Sequence, residues 1–456
     1  MKTKKLLALV FCLFMLFSLF VGCNQNAEPT TATTAAATTT ASTAPATTAE
    51  NTKPYAGTTL RFITANQPCI ENTVQQKLAE FKEQTGITVN MEVLGTDQFT
   101  NKVTVELSAK TKSLDLLFLR PLNDLKQFTK NEWLTDISPY VENDKEFDLG
   151  DYYPGAIGAC TRDDKLYGIP IVAESQIVYY RKDIFEKNGI TTFPQTMDEL
   201  LAVAQKLTDK GKDFYGFTGR GKTNQTVTQF STYLRSFGGD FNTATESLIN
   251  SPEAIAAYKF YGKLLGECGP PGIINMSWPE SAALFAQGKA AMFADADAIY
   301  ANVTDKDKST VADVTGFEIM PAGPAGRKPF YAVAAALSIS AFSENKDAAA
   351  EFIKWANSSE MDVKMAQEVK NPGCRKSTWE NPEATKSWPA DLLDAMIRSR
   401  EIAVAGDRPT VINVVQARDI ISVPILEAIQ GKDPTEAANK AHKEFQALID
   451  KENAAK

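Results

Sequence analysis

The chain has 456 residues, of which 23% are charged and 43% are hydrophobic, and its formal net charge is −8. This composition is typical of a folded globular protein. A chain of this length is too long for one compact core, and we expect two domains. No long basic run occurs in the sequence, which argues against nucleic acid as a partner.

Residues 1–22 have the pattern of a secretory signal peptide. Three lysines precede an apolar run that is too short to cross a bilayer, for which about 20 residues are needed. Gly22 directly precedes Cys23, which resembles the lipobox of bacterial lipoproteins. In that motif the cysteine carries the lipid and becomes the first residue of the mature chain. The resemblance implies a lipid anchor at Cys23 that holds the protein on the extracellular face of the cytoplasmic membrane.

Residues 23–56 are predicted to form a disordered tether behind this cysteine. From Ala27 to Lys53 the sequence is almost entirely Thr, Ala, Ser and Pro, with no apolar residue larger than alanine. Such a stretch buries too little apolar surface to offset the entropy lost on ordering. We therefore expect the globular body to begin near residue 57.

Strands and helices alternate in the first part of this body. The hydrophobic periodicity predicts a strand at 58–65, a helix at 72–86, a strand at 87–95, a helix at 97–111 and a strand at 114–120. This alternation indicates βαβ units and a largely parallel sheet. Further helices are predicted at 193–211, 251–269, 347–360 and 419–431.

The sequence offers little for catalysis by a nucleophile, a metal or a cofactor. It contains a single histidine, His442, and it lacks the GxSxG, HExxH, Walker and dinucleotide-binding motifs. We therefore predict no cofactor and no metal site. The carboxylates are numerous, so a glycosidase that uses two acidic residues stays an open alternative. Four cysteines of the body are predicted to be buried free thiols rather than functional groups: Cys69, Cys160, Cys268 and Cys374.

Polar residues at strand ends are the first candidates for a binding site, because ligands of open parallel sheets bind beyond the carboxyl ends of the strands. Asn66, Gln67, Arg120 and Glu174 meet this condition. The alternative for each is a helix cap or a turn residue.

The order of several segments resembles the extracellular solute-binding proteins of carbohydrate ABC transporters, the family that includes maltodextrin-binding protein. The resemblance covers about Leu60 to Ile449. It rests on "KLAEFKEQTGITV", "LYGIPIVAESQIVYYRKDIFEKNGI", "FAQGKAAMFAD", "FEIMPAGPAGRKPF" and "NKDAAAEFIKWANS".

This resemblance implies an α/β protein with the periplasmic-binding-protein-like type II fold, in which two discontinuous α/β lobes are joined by a hinge around a central cleft. Lobe 1 is expected to comprise residues 57–171 and 322–368. Lobe 2 is expected to comprise residues 172–321 and 369–456. The chain should cross between the lobes near 171–175, near 319–323 and near 369–373.

The resemblance also implies ligand-binding positions. Glu174 matches a sugar-contacting glutamate, whereas aromatic sugar contacts of the family are replaced here by charged residues. The complete set of expected ligand contacts is Asn66, Arg120, Glu174, Asp240, Trp278, Asp295, Asp297, Arg375 and Arg418. For Trp278 a purely structural role at a helix start is the alternative. Since carboxylates and guanidinium groups bond hydroxyl groups and acids rather than stacking on pyranose rings, we expect a small carbohydrate or polyol first and an acidic sugar second.

The expected function is capture of this solute outside the membrane and delivery to ABC permease subunits driven by a separate ATPase. We expect a monomer that is not an enzyme. An extracellular glycoside hydrolase using Glu174 with Asp295 or Asp297 is the alternative from another class. A sugar sensor that binds without transport is a third.

Overall fold

The computed structural model describes residues 53–454, so the predicted signal peptide, Cys23 and nearly all of the predicted tether lie outside the described residues. Residues 53–454 contain ten strands: β1 (Thr59–Ala65), β2 (Thr88–Leu94), β3 (Leu116–Leu119), β4 (Thr161–Arg162), β5 (Lys165–Leu166), β6 (Ile169–Arg181), β7 (Met292–Ala296), β8 (Thr315–Ile319), β9 (Phe330–Ile339) and β10 (Val404–Ala405).

The same range contains eighteen α-helices, several of them shorter than two turns. They are α1 (Leu78–Thr85), α2 (Thr96–Ser108), α3 (Lys126–Lys130), α4 (Ser138–Val141), α5 (Pro154–Cys160), α6 (Lys182–Lys187), α7 (Met197–Leu207), α8 (Thr226–Ser236), α9 (Pro252–Cys268), α10 (Trp278–Ala286), α11 (Tyr300–Thr304), α12 (Lys346–Ala356), α13 (Ser359–Val369), α14 (Lys376–Glu380), α15 (Pro382–Thr385), α16 (Ala390–Glu401), α17 (Val414–Ile429) and α18 (Thr435–Ala454). No helix among these residues has both the length and the apolar character needed to cross a membrane.

The main sheet is mixed, and the prediction of a largely parallel sheet was wrong. Its strand order is β2-β1-β3-β9-β6-β7, with β8 also paired to β6 and β10 to β9. The pairs of β1 with β2 and with β3 are parallel, as the βαβ pattern predicts. Strand β9 returns from far along the chain and runs antiparallel to both β3 and β6. The local alternation of strands and helices in the sequence cannot reveal a pairing with a strand so far along the chain.

Strand β6 connects the two halves of this sheet. Its first seven residues, Ile169–Ser175, pair with β9, with a register irregularity around Pro170 and Val172. Its second half pairs with β7 on one side and β8 on the other. Proline has no N–H to give to a ladder, so an irregular register at Pro170 is expected.

Two large apolar cores lie on either side of the β6 midpoint. The first collects β1 to β3, β9, the start of β6, and the buried faces of α2 and α12. The second collects Val178 of β6 with the buried faces of α8, α9, α17 and α18. A smaller third cluster packs β8 against α16. The lobe boundaries stay a prediction. The two separate cores support this prediction.

Most predicted helices occur, although their ends differ; α1 begins only at Leu78 and α17 begins already at Val414. Helix α7 begins with a capping box between Thr196 and Glu199 but ends at Leu207 rather than near Gly211. The hydroxyl of Thr208 bonds back to the carbonyl of Ala204 and accepts from the N–H of Gly216, which turns the chain away. The helix predicted at 347–360 is broken into α12 and α13.

The start of the body also differs from expectation. Residues 54–57 form a turn, and the ring of Tyr55 packs against the first core. The four predicted body cysteines are buried free thiols, which confirms that prediction.

Candidate functional site

A cavity of about 90 Å³ lies between the first and second cores. Phe118 of the first core and Asn66, directly after β1, line one side of it. The segment after β6 contributes Arg220 and Trp278. The polar side chains of the wall are Asn66, Gln67, Thr96, Arg120, Asn123, Glu174, Arg220, Gln225, Thr228, Arg408 and Arg418. The wall is therefore rich in guanidinium groups and carries few aromatic rings.

Arg120 reaches the cavity from the residue directly after β3. Its Nε donates to Asp124 Oδ2 at 2.9 Å and its Nη2 to Asp124 Oδ1 at 2.7 Å. Asp124 lies one turn further along, so the chain geometry brings the two side chains together. The guanidinium also lies over the ring of Phe99, 5.3 Å from its centroid. Both contacts fix its orientation.

Arg220 stands between two glycines in the segment "TGRGK". Its Nε donates to Asp295 Oδ2 at 2.8 Å, and its Nη2 bonds Asp295 Oδ1. A Cβ at Gly219 would lie 2.5 Å from the Gln229 side-chain oxygen, and one at Gly221 would lie 2.3 Å from the Ile273 carbonyl oxygen. The two glycines therefore let the backbone approach closely enough to place Arg220 at the cavity.

Arg408 is paired with the residue before it, Asp407. Its Nε and Nη2 bond the two carboxylate oxygens, and Asp407 is fully buried. Burial alone would raise the pKa of Asp407, but Arg408 and Arg418 outweigh it and hold that pKa at about 2. The Asp407 carboxylate is therefore ionised under all ordinary conditions.

Arg418 differs from the other three arginines in its bonding. Its Nε donates to the Asn224 carbonyl at 2.9 Å, and its Nη2 donates to Thr228 Oγ1 at 2.9 Å. No carboxylate of residues 53–454 lies within ion-pair distance of this side chain, which is 3% exposed. Burial and the charge of Arg408 lower the pKa of Arg418 below its usual value.

Glu174 is the one carboxyl group at the cavity wall, and it lies within β6 rather than after a strand end. It pairs with Ala332 of β9 at the point where β6 passes from one core to the other. Its side chain makes no hydrogen bond or ion pair with the described part of the chain, although Glu174 is only 8% exposed. Burial, together with Asp297, Asp407 and Asp295, raises the pKa of Glu174 to about 8, against the opposing effect of Arg220.

Two more predicted residues lie at the same wall. Asn66 directly follows β1, and Trp278 is the first residue of α10. The indole of Trp278 is half-buried and also packs against the third apolar cluster. Trp278 thus lines the cavity and begins a helix, and its ligand contact stays a prediction.

The other four predicted residues lie outside the cavity wall. Asp295 supports Arg220 from behind, and the fully buried Asp297 accepts from the Ser175 N–H at 3.2 Å and pairs with Arg400 at 2.9 Å. The half-exposed Asp240 faces Arg235, 3.4 Å away.

Arg375 has a purely internal set of contacts. Its guanidinium donates to the carbonyls of Phe147 and Asn357 at 2.8 and 2.9 Å and pairs with Asp151 at 3.1 Å. It also lies 4.4 Å from the centroid of the Tyr152 ring. The structure therefore places Arg375 in a cross-link between chain segments. Its predicted ligand contact stays a prediction, like those of Asp240, Asp295 and Asp297.

Contacts between the two cores close over the cavity. Lys222 Nζ lies 2.6 Å from Asp97 Oδ2, and Gln225 donates to the other Asp97 oxygen at 3.4 Å. Deeper in the cleft, Arg418 Nη1 donates to Asn123 Oδ1 at 3.4 Å. These contacts therefore bridge the two sides of the cavity.

Sequence reasoning missed Arg220, Gln225 and Arg408. Arg220 lies in a glycine-rich stretch and Arg408 in "AGDRPT", and neither stretch has the periodicity of a strand or helix. The adjacent opposite charges of Asp407 and Arg408, in a stretch of turn residues, were the one available signal.

The arrangement is suited to binding. The guanidinium groups are held rigidly, and Glu174 offers an unpartnered carboxyl group. Residues 53–454 contain no cluster of His, Cys, Asp and Glu able to hold a metal ion.

Comparison with known proteins places this architecture in a family. Residues 70–363 match the family of bacterial extracellular solute-binding proteins. This match covers more than half of the chain, and the chain belongs to that family. The predicted class of protein and the predicted type II fold are thereby confirmed.

Individual relatives agree with the family match. The chain is 30% identical over 314 residues to a mannitol-binding protein of Pseudomonas aeruginosa, covering 67% of this chain and 71% of the relative. It is 26% identical to an erythritol/L-threitol-binding protein of Mycolicibacterium smegmatis, covering 67% of this chain and 68% of that one.

A solved structure gives the same result for the fold. A solute-binding protein of an ABC transporter from Agrobacterium radiobacter, in complex with ribitol, superposes with a TM-score of 0.79 at 27% identity. The superposition covers 87% of this chain and 100% of the chain of that protein. The chain is thus a binding protein rather than an enzyme, as predicted, and the glycoside hydrolase alternative falls.

Proposed function

We propose that this protein captures a small, highly hydroxylated solute, such as a sugar or polyol, and delivers it to an ABC import permease that is driven by a separate ATPase. The observation that carries this proposal is the combination of an unpartnered Glu174 with four oriented guanidinium groups in one small cleft. Hydroxyl groups of a solute can bond to both kinds of group. Three relatives support the same solute class: a mannitol-binding protein, an erythritol/L-threitol-binding protein and a solute-binding protein in complex with ribitol.

The proposed contacts are Asn66, Arg120, Glu174, Trp278 and Arg418, together with the newly found Arg220 and Arg408. The scarcity of stacking rings in the wall supports a short solute over a long oligosaccharide, because pyranose rings of long sugars are bound on aromatic faces. We propose the lobe division given above as the basis of closure, with β6 passing through the hinge.

The experiment that tests the proposal is a thermal-shift screen of the full chain in mild detergent against mannitol, ribitol, erythritol, neutral sugars and sugar acids. A solute that binds only the native state at about 100 times its Kd adds about 2.7 kcal/mol to the free energy of unfolding. At least one of these compounds should therefore raise the Tm. Glu174→Ala and Arg418→Ala should abolish the shift while the unliganded variants keep their cooperative melting. If no carbohydrate or polyol raised the Tm, the proposed solute class would be wrong.

Transport and sensing differ in their consequence for the cell. Deletion of the gene should abolish uptake of the radiolabelled solute if the protein serves transport. Unchanged uptake after deletion would instead favour a sensor.

We propose that the protein is anchored at the outer face of the cytoplasmic membrane through lipid on Cys23. Cys23→Ser should move the protein from the membrane fraction to the soluble fraction without altering its affinity. A variant that still sediments with membranes would contradict the anchor.

A further inference from the structure

The cavity wall carries one positive charge that nothing beside it neutralises. Arg120, Arg220 and Arg408 are each held by two hydrogen bonds to a buried aspartate: Asp124, Asp295 and Asp407, respectively. Arg418 is bonded only to neutral oxygen atoms of Asn224, Thr228 and Asn123. The nearby Asp407, which acts on Arg418 from beyond ion-pair distance, is already committed to Arg408.

Glu174 does not supply the missing negative charge. It is more than nine-tenths buried and receives no hydrogen bond from residues 53–454. Its burial and the carboxylates of Asp297, Asp407 and Asp295 together outweigh the guanidinium of Arg220. A carboxyl group in such surroundings keeps its proton, and its pKa of about 8 agrees with this. At neutral pH, Glu174 therefore faces the cavity mainly as a neutral O–H donor.

Several unbonded atoms of the wall are donors. Within the described range, Nη1 of Arg220 and Nη1 of Arg408 have no acceptor, and Nε2 of Gln67 is buried without a partner. Each hydroxyl of a neutral polyol can accept from these donors, but it also brings a donor of its own, which needs an acceptor when it is buried. A carboxylate brings two oxygens that only accept.

From this unpaired charge and the free guanidinium donors beside it we infer that the preferred solute is a polyhydroxylated monocarboxylate, a sugar acid such as an aldonate or a uronate. The inference rests on the proposed function, since it specifies the charge of the solute in the same cleft. One carboxylate would neutralise the single unpaired guanidinium of Arg418 and accept from the free donors of Arg220 and Arg408. A phosphate ester would bring about two negative charges and leave an excess of one.

The test compares matched acids and alditols on the full chain in mild detergent by isothermal titration calorimetry. The pairs are D-gluconate with D-glucitol, D-mannonate with D-mannitol and D-xylonate with xylitol, with D-glucuronate and glucose 6-phosphate as further arms. A charge-assisted pairing in a buried site should make the acid of the best-bound pair about tenfold tighter, or more, than its alditol.

Two variants and one control show which residues carry the preference. Arg418→Gln should reduce the ratio of acid to alditol affinity to about one. Glu174→Gln, whose amide imitates a neutral carboxyl group, should keep the ratio within about threefold of wild type. Arg398→Gln is the matched control, because the exposed Arg398 pairs with Asp394 and Glu318 outside the cavity wall, and both affinities should stay unchanged.

The outcomes separate this inference from the proposed function. Alditols that bind as tightly as their acids, or binding of glucose 6-phosphate alone, would overturn the inference and leave a polyhydroxylated solute in place. If no acid, alditol or sugar bound, the proposed function would fail too. A strong rise in acid preference in Glu174→Gln would show that Glu174 is ionised, which also overturns the inference.

Discussion

At the scale of single residues, the protonation of Glu174 bears on the stability of the protein. Its side chain is buried without a partner at the midpoint of β6, so folding takes a carboxyl group out of water with no hydrogen bond in return. The pKa of Glu174 is raised to about 8 as a result. A carboxyl group whose folded pKa lies above its unfolded value lowers stability as pH rises between the two values.

Glu174→Gln should therefore stabilise the unliganded protein in a pH-dependent way. The difference in unfolding free energy between variant and wild type should grow from pH 5 to pH 8, by on the order of a few kcal/mol, and level off above that. Urea titrations of both proteins at several pH values measure it. A difference that stayed constant across this range would show that Glu174 ionises normally in the folded state.

Sequence reasoning found the residues whose local context was informative. Asn66 and Arg120 follow strands, and both lie at the cavity wall. Arg220 and its partner Asp295 are 75 residues apart in the sequence. Such a pair leaves no trace in a local pattern, and the same holds for the internal cross-link of Arg375.

At the scale of elements, helices α9 and α17 are packed through glycine. A Cβ at Gly262 would lie 2.5 Å from Cβ of Ala428, and one at Gly266 would lie 2.4 Å from the Ile429 carbonyl oxygen. The two helices are in contact along the second core, and α17 also carries Arg418. The spacing of glycines in α9 therefore sets the distance between the helices.

Gly262→Ala should lower the free energy of unfolding by about 1–3 kcal/mol, the usual cost of overpacking. Gly158→Ala is the matched control in helix α5, because a Cβ there would meet nothing within 4 Å. The control should raise stability by about 0.5–1 kcal/mol, since alanine is the better helix former. Chemical denaturation measures the free energy of unfolding of both variants. Equal changes in the two variants would mean that α9 and α17 are not tightly packed at Gly262.

Helices and strands were predicted correctly where the local hydrophobic periodicity determines them. The prediction failed where contacts with distant segments of the chain determine the structure. The break between α12 and α13 falls at Asn357, whose carbonyl accepts two hydrogen bonds from Arg375. A carbonyl committed in this way is no longer available to continue the helix. The antiparallel course of β9 has the same kind of cause, because its partners β3 and β6 lie more than 150 residues earlier.

At the scale of the whole molecule, protein–protein contacts bridge the two sides of the cavity. Asp97 at the start of α2 meets Lys222 and Gln225 from the other side of the cavity. Binding proteins of this kind gain affinity from any interaction that favours closure, because the solute then has less reorganisation to drive. The resemblance predicted a closing cleft, but only the structure identifies this contact.

Asp97→Asn should weaken solute binding by about two- to fivefold, mainly through faster release, because an exposed ion pair contributes little. The effect should shrink in high salt. Glu344→Gln serves as control, since it breaks the exposed ion pair with Lys112 away from the cleft and should leave the affinity unchanged. Stopped-flow release rates at low and high salt would measure both, and a wild-type rate for Asp97→Asn would contradict the role of this contact.

The pairing of β6 with β9 has a consequence for biogenesis. Ile169 is matched with Leu337, and Leu116 of β3 with Ile339. A chain that emerges from the membrane with its N-terminus first has β3 and β6 outside long before β9 follows. During that interval two apolar strands present open edges, which are sites of wrong pairing and aggregation. For such a chain, the edges of β3 and β6 stay uncovered until residue 339 has followed.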